Sequence, residues 1–330
     1  MNRCKAHRSH VSSAILGILG VLRGEEAAIT DPLDAIGLRG CARRDSYGLM
    51  RIRGGAALLF VALAAQGAAA ADYAPVLQFV RDGQTVRSVD LAALKAGCAV
   101  QTVTIDDPYY RRRKSFLACP LADVLRLGFA QPPAALAGDS FLLRARDGYT
   151  KPASGAQLTA PGGYLAFADA ERAHGDDPGW EPIDRKQADP GPFYMVWALP
   201  EQSDPEQYPW PYQLTTIEIA SLDTVYPHVV PRGAAADSAA QAGFEIFRSQ
   251  CIACHAINRE GGTVGPDLNV PQSIVEYRPI EQIKAYIRDP GTFRYTSMPA
   301  HPQLTDHQLD DLVAYFTAMK SLKHDPGRAP

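Results

Sequence analysis

Two cysteines and a histidine near the C-terminus have a spacing that could support metal or redox chemistry. They occur in the run Cys251-Ile-Ala-Cys254-His255. Two thiols three residues apart lie on one turn of the chain and can form thioethers with the two vinyl groups of a single porphyrin. The adjacent imidazole can then bind the iron as the proximal ligand. The pattern therefore predicts one covalently attached haem c.

The same five residues also fit two other chemistries. A Cys-x-x-Cys pair can be a thioredoxin-like redox centre or half of a zinc site. A redox pair usually opens a helix that follows a strand, and no such unit is visible before Cys251. A zinc site needs further ligands at suitable spacing, which the next histidines, His301 and His307, do not supply. Haem attachment is the favoured interpretation.

Met298 is the candidate for the second axial position on the iron. It precedes a proline in a loop between two helical patterns, whereas Met195 lies in a predicted strand and Met319 in the predicted last helix. A methionine more often fills a core than binds a metal, and His301 is the rival ligand. A thioether ligand raises the reduction potential, and two filled axial positions favour electron transfer over haem catalysis.

Two amphipathic helices are predicted to hold these residues in place. Residues 239–250 carry Phe244 and Phe247 three residues apart. Residues 304–322 repeat apolar side chains at steps of three and four, with Thr305 as a plausible N-cap. The haem pattern lies directly after the first helix.

With this order of motifs, residues 238–323 resemble a small class I cytochrome c, which is an all-α domain. The resemblance implies that Gly243 and Phe247 lie where the N-terminal helix crosses the C-terminal one. In that family Tyr315 or Phe316 would face them.

The resemblance also implies roles around the iron. The backbone carbonyl of Pro266 would accept a hydrogen bond from Nδ1–H of His255, which orients the ring and makes it a stronger ligand. Met298 would be the distal ligand. The implied cofactor-binding residues are Cys251, Cys254, His255, Met298 and Pro266, and the implied iron ligands are His255 and Met298.

Residues 72–226 are predicted to form a β-rich α+β domain, because short runs rich in β-branched and aromatic residues alternate with turn signals. Residues 174–192 are polar, contain glycine and proline, and are predicted to be a long surface loop. The predicted strands are 100–105, 140–145, 164–168, 193–197 and 214–219, and the predicted helical segments are 91–94 and 121–127.

Residues 115–219 carry a second resemblance, to the sulfite-oxidase-type molybdopterin-binding fold. It rests on residues 116–125, 145–149 and 191–196, which match that family in order and type. Members that hold molybdenum bind it through a cysteine thiolate, and neither Cys98 nor Cys119 matches the family's cysteine motif. Molybdopterin is therefore not expected, and the two cysteines are either paired in a disulfide or merely buried.

A local basic cluster, Arg111 to Lys114, follows two tyrosines. The plainer interpretation is a solvated loop. The sharper one is a docking patch for an acidic redox partner, since complementary charge accelerates transient encounters.

The N-terminal part of the chain predicts export. Residues 50–71 contain a positive start, an apolar run and an A-x-A site, which are the parts of a secretory signal peptide. Residues 1–49 are predicted to be a non-native upstream extension, and 227–240 a linker before a cytochrome domain at 241–323. The protein is thus expected to be multidomain and periplasmic, with membrane attachment only if the signal segment is uncleaved.

Composition narrows the function. The chain has 330 residues and a formal net charge of −3, without a sustained basic stripe, which argues against nucleic-acid binding. We predict a periplasmic monohaem cytochrome that exchanges single electrons with a redox partner, such as a periplasmic dehydrogenase or terminal oxidase. It is expected to be an electron carrier rather than a catalyst. The alternatives are a molybdopterin-dependent oxidoreductase with a fused haem domain, and an assembly or sensing subunit.

Overall fold

The computed structural model describes residues 75–183 and 187–327, which all fall in one compact unit spanning residues 67–330. The predicted extension and signal segment lie outside the described residues. The strands are β1 Val76–Arg81, β2 Gln84–Asp90, β3 Gln101–Asp107, β4 Arg112–Pro120, β5 Ser140–Ala145, β6 Thr150–Ser154, β7 Gly163–Asp169, β8 Tyr194–Trp197, β9 Leu214–Ile219, β10 Ala256–Ile257 and β11 Glu260–Gly261.

Helices are short in the first part of the chain and longer in the second. Single 3₁₀ turns lie at Pro133–Leu136, Pro200–Gln202 and Pro290–Thr292, and a π-helical turn lies at Phe247–Cys251. The α-helices are α1 Leu91–Gly97, α2 Leu121–Phe129, α3 Gly155–Leu158, α4 Leu222–Val225, α5 Ala239–Ile246, α6 Ile274–Tyr277, α7 Ile280–Arg288 and α8 Asp306–Lys320.

Two sheets form the β-rich domain. One has five strands in the order β2-β1-β9-β5-β6, and the other has four in the order β3-β4-β7-β8. All pairs within them are antiparallel except β1 with β9. Buried side chains of both sheets, for example Phe79, Phe141, Phe116 and Tyr194, join one hydrophobic core. The predicted β-rich domain is confirmed at this level.

The predicted strands correspond to β3, β5, β7, β8 and β9, whereas β1, β2, β4 and β6 were not predicted. Two of these four, β2 and β6, are edge strands with polar sequences. β2 has one buried residue, and β6 contains Pro152, which an edge strand tolerates because one side of its backbone lacks a partner. Such strands lack the apolar alternation that identifies a strand in sequence.

The interpretation of residues 111–114 as a solvated loop or docking patch is wrong for Lys114. Lys114 lies on β4 and its side chain is fully buried. Its ammonium donates to Asp169, which is equally buried, at 2.5 Å, and to Glu181 at 3.0 Å. The charge is buried because carboxylates from β7 and the following loop surround it, and sequence spacing does not reveal such partners.

Cys98 and Cys119 form a disulfide, with Cα atoms 5.6 Å apart. The bond ties the end of α1 to β4, so of the two alternatives for these cysteines, the structure has the pair. A disulfide is typical of an oxidising compartment.

The C-terminal region is built on the crossing of α5 and α8. Gly243 lies at the crossing, where an added Cβ would stand 2.0 Å from the carbonyl oxygen of Asp311. The Phe247 ring packs against those of Tyr315 and Phe316, with centroids 5.2 and 6.3 Å away. This is the expected arrangement of the two helices. The region is not purely helical, however, because β10 and β11 form a small hairpin within it.

Part of the predicted linker is packed rather than free. Val229 is fully buried in a second hydrophobic core, which contains Phe247, Tyr315 and Phe316. Its carbonyl accepts a hydrogen bond of 2.7 Å from the Tyr315 hydroxyl. The division into domains near this segment remains our proposal. Among the residues described, none of the helices has the length and apolar character needed to cross a membrane.

Candidate haem site

The cysteine–histidine turn follows directly from α5. The helix ends in the π-helical turn, whose last residue is Cys251, and the N–H of Ile252 donates to the Phe247 carbonyl at 2.9 Å. The N–H of His255 then donates to the Cys251 carbonyl at 2.9 Å, which closes a further turn. Both cysteines are half-buried thiols. Because Phe247 is locked in the helix crossing, the turn is held against the second core.

His255 is oriented by the loop that follows it. Its Nδ1 lies 2.8 Å from the carbonyl oxygen of Pro266, so Nδ1–H donates there and Nε2 is left for another partner. The arrangement is the one that the resemblance to class I cytochromes implies for Pro266. A hydrogen bond at Nδ1 fixes the ring and makes Nε2 a better metal ligand.

Gly265 is a further site residue, whose role sequence reasoning missed. Its N–H donates to the Cys254 carbonyl at 2.7 Å. A Cβ on Gly265 would stand 2.5 Å from Cε1 of the His255 ring, so no larger residue fits without moving the imidazole. The glycine that directly precedes Pro266 was the available signal.

The electrostatics of the turn suit haem attachment better than thiol redox chemistry. Burial lowers the pKa of His255, which keeps the imidazole neutral as a metal ligand must be. Burial, together with the neighbouring charge of Cys254, raises the pKa of Cys251 to about 12. Reactive Cys-x-x-Cys pairs have the opposite property, a lowered thiol pKa.

A zinc site is equally poorly supported. Within residues 75–183 and 187–327, no group of three or more histidine, cysteine, aspartate or glutamate side chains could hold a metal ion. Zinc needs such a set, whereas a porphyrin supplies four nitrogen ligands itself. Two half-buried thiols, an imidazole held at Nδ1 and a glycine pressed against the ring fit a covalently bound haem.

Two side chains compete for the distal position. Met298 is half-buried and packs against the second hydrophobic core, and its N–H donates to the Thr296 hydroxyl at 3.1 Å. His301 is buried, and its Nδ1 lies 3.2 Å from Oε1 of Gln250. Burial and, to a lesser degree, the charge of His255 lower the pKa of His301, so the two imidazoles lie within electrostatic reach. Met298 remains the predicted ligand.

Among the described residues of the β-rich domain, no free cysteine is available to bind molybdenum. Both of its described cysteines are used in the Cys98–Cys119 disulfide. A molybdenum centre of the sulfite-oxidase type needs a free thiolate, which a disulfide cannot provide. The donor set of this domain therefore does not fit molybdopterin chemistry.

Comparison with known proteins agrees with the C-terminal geometry. The cytochrome c family model matches residues 240–320. Over 94 residues, the chain is 29% identical to cytochrome c oxidase subunit 2 of Alkalihalophilus pseudofirmus, in a match that covers 26% of this chain and 28% of that protein. The chain therefore spans little more than a quarter of this relative's length. Residues 240–320 are a cytochrome c domain that follows a β-rich sheet domain, and this family implies covalently bound haem c and electron exchange with a redox partner.

Proposed function

We propose that the protein is an exported cytochrome that holds one haem c and passes single electrons to or from a partner protein. The observation that carries the proposal is the turn at Cys251–His255, with Nδ1 of His255 bonded to the Pro266 carbonyl at 2.8 Å. A haem bound there supplies a one-electron iron couple between the ferric and ferrous states.

The chain's own residues have distinct parts in this function. Cys251 and Cys254 would tether the porphyrin, and His255 and Met298 would be the axial ligands. Pro266 holds the His255 ring at its angle, while Gly265 leaves room for that ring. If His255 and Met298 both held the iron, no open position would be left for a substrate, which would favour electron transfer.

The proposal places the protein in the periplasm. It is supported by the signal-like run at residues 50–71 and by the disulfide between Cys98 and Cys119. The partner is proposed to be a redox protein of the same compartment, either a dehydrogenase or a terminal oxidase. Mass spectrometry of the mature N-terminus tests the export step, and we expect the chain to begin at Asp72.

Haem content tests the central proposal. The full chain, produced in a host that attaches haem c, should show one covalently bound haem by pyridine haemochrome spectroscopy and intact mass. Cys254→Ser should keep a single thioether, which shifts the haemochrome band, and His255→Ala should lose the low-spin spectrum. A chain that carries no covalent haem under these conditions contradicts the proposal.

The distal ligand is tested separately. Met298→Ala should abolish the weak long-wavelength sulfur-to-iron absorption of the ferric protein and lower the midpoint potential. The matched control is His301→Ala, which should leave that absorption unchanged. If His301→Ala removes the low-spin spectrum and Met298→Ala does not, His301 is the ligand.

A further inference from the structure

The β-rich domain touches the turn Cys251–His255, here called the haem-attachment turn, through its own main chain. The N–H of Thr150 donates to the Ala253 carbonyl at 2.9 Å, and the N–H of Thr263 donates to the Gly148 carbonyl at 3.0 Å. Ala253 stands between the two haem-tethering cysteines. The turn that joins β5 to β6 is therefore bonded to the motif itself.

Close packing reinforces this contact. Gly148 has a φ of +93°, a region that favours glycine, and a Cβ there would stand 1.9 Å from Oγ1 of Thr263. The hairpin tip and the loop after the motif are thus in contact at a position where only glycine fits.

Tyr149 lies in the β5–β6 turn between Gly148 and Thr150, whose backbones bond to Thr263 and Ala253. Burial is the main reason why the pKa of Tyr149 lies above its ordinary value. The residue is half-buried, so part of its surface stays open.

Lys151 brings a positive charge to the same place. Its ammonium donates to the Ser249 carbonyl, two residues before Cys251, at 3.1 Å. Burial lowers the pKa of Lys151, and its charge contributes in turn to the lowered pKa of His301. Glu206 and Asp204 are the acidic groups that face it.

We propose that the β5–β6 hairpin is a working part of the haem site: Tyr149 closes the haem-attachment turn against water, and Lys151 places a positive charge beside the cofactor. Both effects favour the reduced haem, because reduction removes a positive charge from the iron porphyrin, and water stabilises the charged form. The hairpin residues are positioning residues that set the midpoint potential. The inference rests on the proposed haem site.

Redox titration of the intact haem-loaded chain tests the charge. Lys151→Gln should lower the midpoint potential and leave the axial-ligand spectrum unchanged. The matched control is Lys95→Gln, which removes an exposed lysine of α1 in the same domain and should leave the potential unchanged. If Lys151→Gln has the potential of the wild type, the role of Lys151 is wrong.

A second pair of variants tests the closure. Tyr149→Ala should lower the potential and speed reduction by a small hydrophilic reductant such as ascorbate, because it admits water, whereas Tyr149→Phe should retain the ring and match the wild type. Equal potentials and reduction rates for the alanine and phenylalanine variants contradict the closure. If Tyr149→Ala fails to fold, Tyr149→Leu is measured in its place, with the same expected fall in potential and the same contradicting result.

The experiments separate this inference from the proposed function. A chain without covalent haem contradicts the function, and the inference with it. A chain that carries one low-spin haem c, yet whose hairpin variants all have the wild-type potential, contradicts the inference alone.

Discussion

At the scale of single residues, the site depends on how closely the backbone approaches the His255 ring. Pro266 accepts the hydrogen bond at Nδ1, and Gly265 passes beside Cε1 with no space for a side chain. One residue therefore orients the imidazole and its neighbour leaves room for it. Together they determine which nitrogen is presented to a metal.

Gly265→Ala should disrupt this site. The added methyl group would stand 2.5 Å from Cε1, so the ring or the loop must move, and the hydrogen bond at Nδ1 should weaken. We expect less covalent haem per chain and a partial loss of the low-spin spectrum, measured by haemochrome assay and absorption spectroscopy. The control is Gly138→Ala, where a Cβ meets nothing within 4 Å. An unchanged spectrum in Gly265→Ala would show that the ring position is not critical.

The buried Lys114 makes stability depend on pH. Partial burial raises the pKa of Glu181, but Lys114 and Arg112 outweigh this effect and bring it below the ordinary 4.5. A lowered pKa means that ionised Glu181 stabilises the folded state above pH 4.5 and that this contribution is lost as the pH falls through the folded-state pKa.

Glu181→Gln should therefore lower the melting temperature at pH 7, and the difference from wild type should shrink as the pH falls below about 4.5. Thermal melts between neutral and acidic pH measure this. Glu201→Gln, which changes an exposed glutamate of the Pro200–Gln202 turn, is the control and should follow the wild type. A constant difference at all pH values would contradict the assignment.

At the scale of elements, the crossing of α5 and α8 supports the haem-attachment turn. α5 begins at an N-cap where the Ser238 side chain accepts from the N–H of Gln241, and α8 begins at a capping box formed by Thr305 and Gln308. The predicted Thr305 cap is confirmed. The two helices meet at Gly243, which allows the backbones to approach closely and brings Phe247 onto the partner helix.

Gly243→Ala should force the helices apart, because the methyl group would overlap the Asp311 carbonyl, 2.0 Å away. Overpacking of this kind costs about 1–3 kcal/mol in the free energy of unfolding. Urea denaturation followed by circular dichroism measures the loss. Ala242→Ser, on the exposed side of the same helix, should cost less than about 1 kcal/mol. Equal stabilities for the two variants would contradict the close crossing.

At the scale of the whole molecule, β5 joins the two hydrophobic cores. Side chains alternate along a strand, so Phe141 and Leu143 point into the core of the β-rich domain. Leu142 points the other way and packs in the same core as Tyr226, Val229 and the cytochrome helices. One strand thus serves both parts, and the hairpin that follows it reaches the haem-attachment turn.

The disulfide should stabilise the β-rich domain. It closes a loop with a sequence separation of 21 residues, for which restricting the unfolded chain contributes about 3 kcal/mol. The double variant Cys98→Ala/Cys119→Ala should therefore melt at a lower temperature than the oxidised wild type. Dithiothreitol should lower the melting temperature of the wild type but not that of the variant. Equal sensitivity of both proteins to the reductant would contradict the bond.

The amino-acid sequence by itself predicted the chemistry that we propose for the C-terminal region, and it determined the two long helices beside the motif. A five-residue motif and a helical period are local signals, so the haem turn, α5 and α8 could be predicted directly. Edge strands such as β2 and the buried state of Lys114 could not, because they depend on partners far along the chain. Only the tertiary structure decided that Gly265 touches the His255 ring, that Thr150 bonds to the haem-attachment turn and that Gly148 bonds to the loop after it. The contacts of Gly148 and Thr150 join segments that are distant in sequence, so no short sequence motif can predict them.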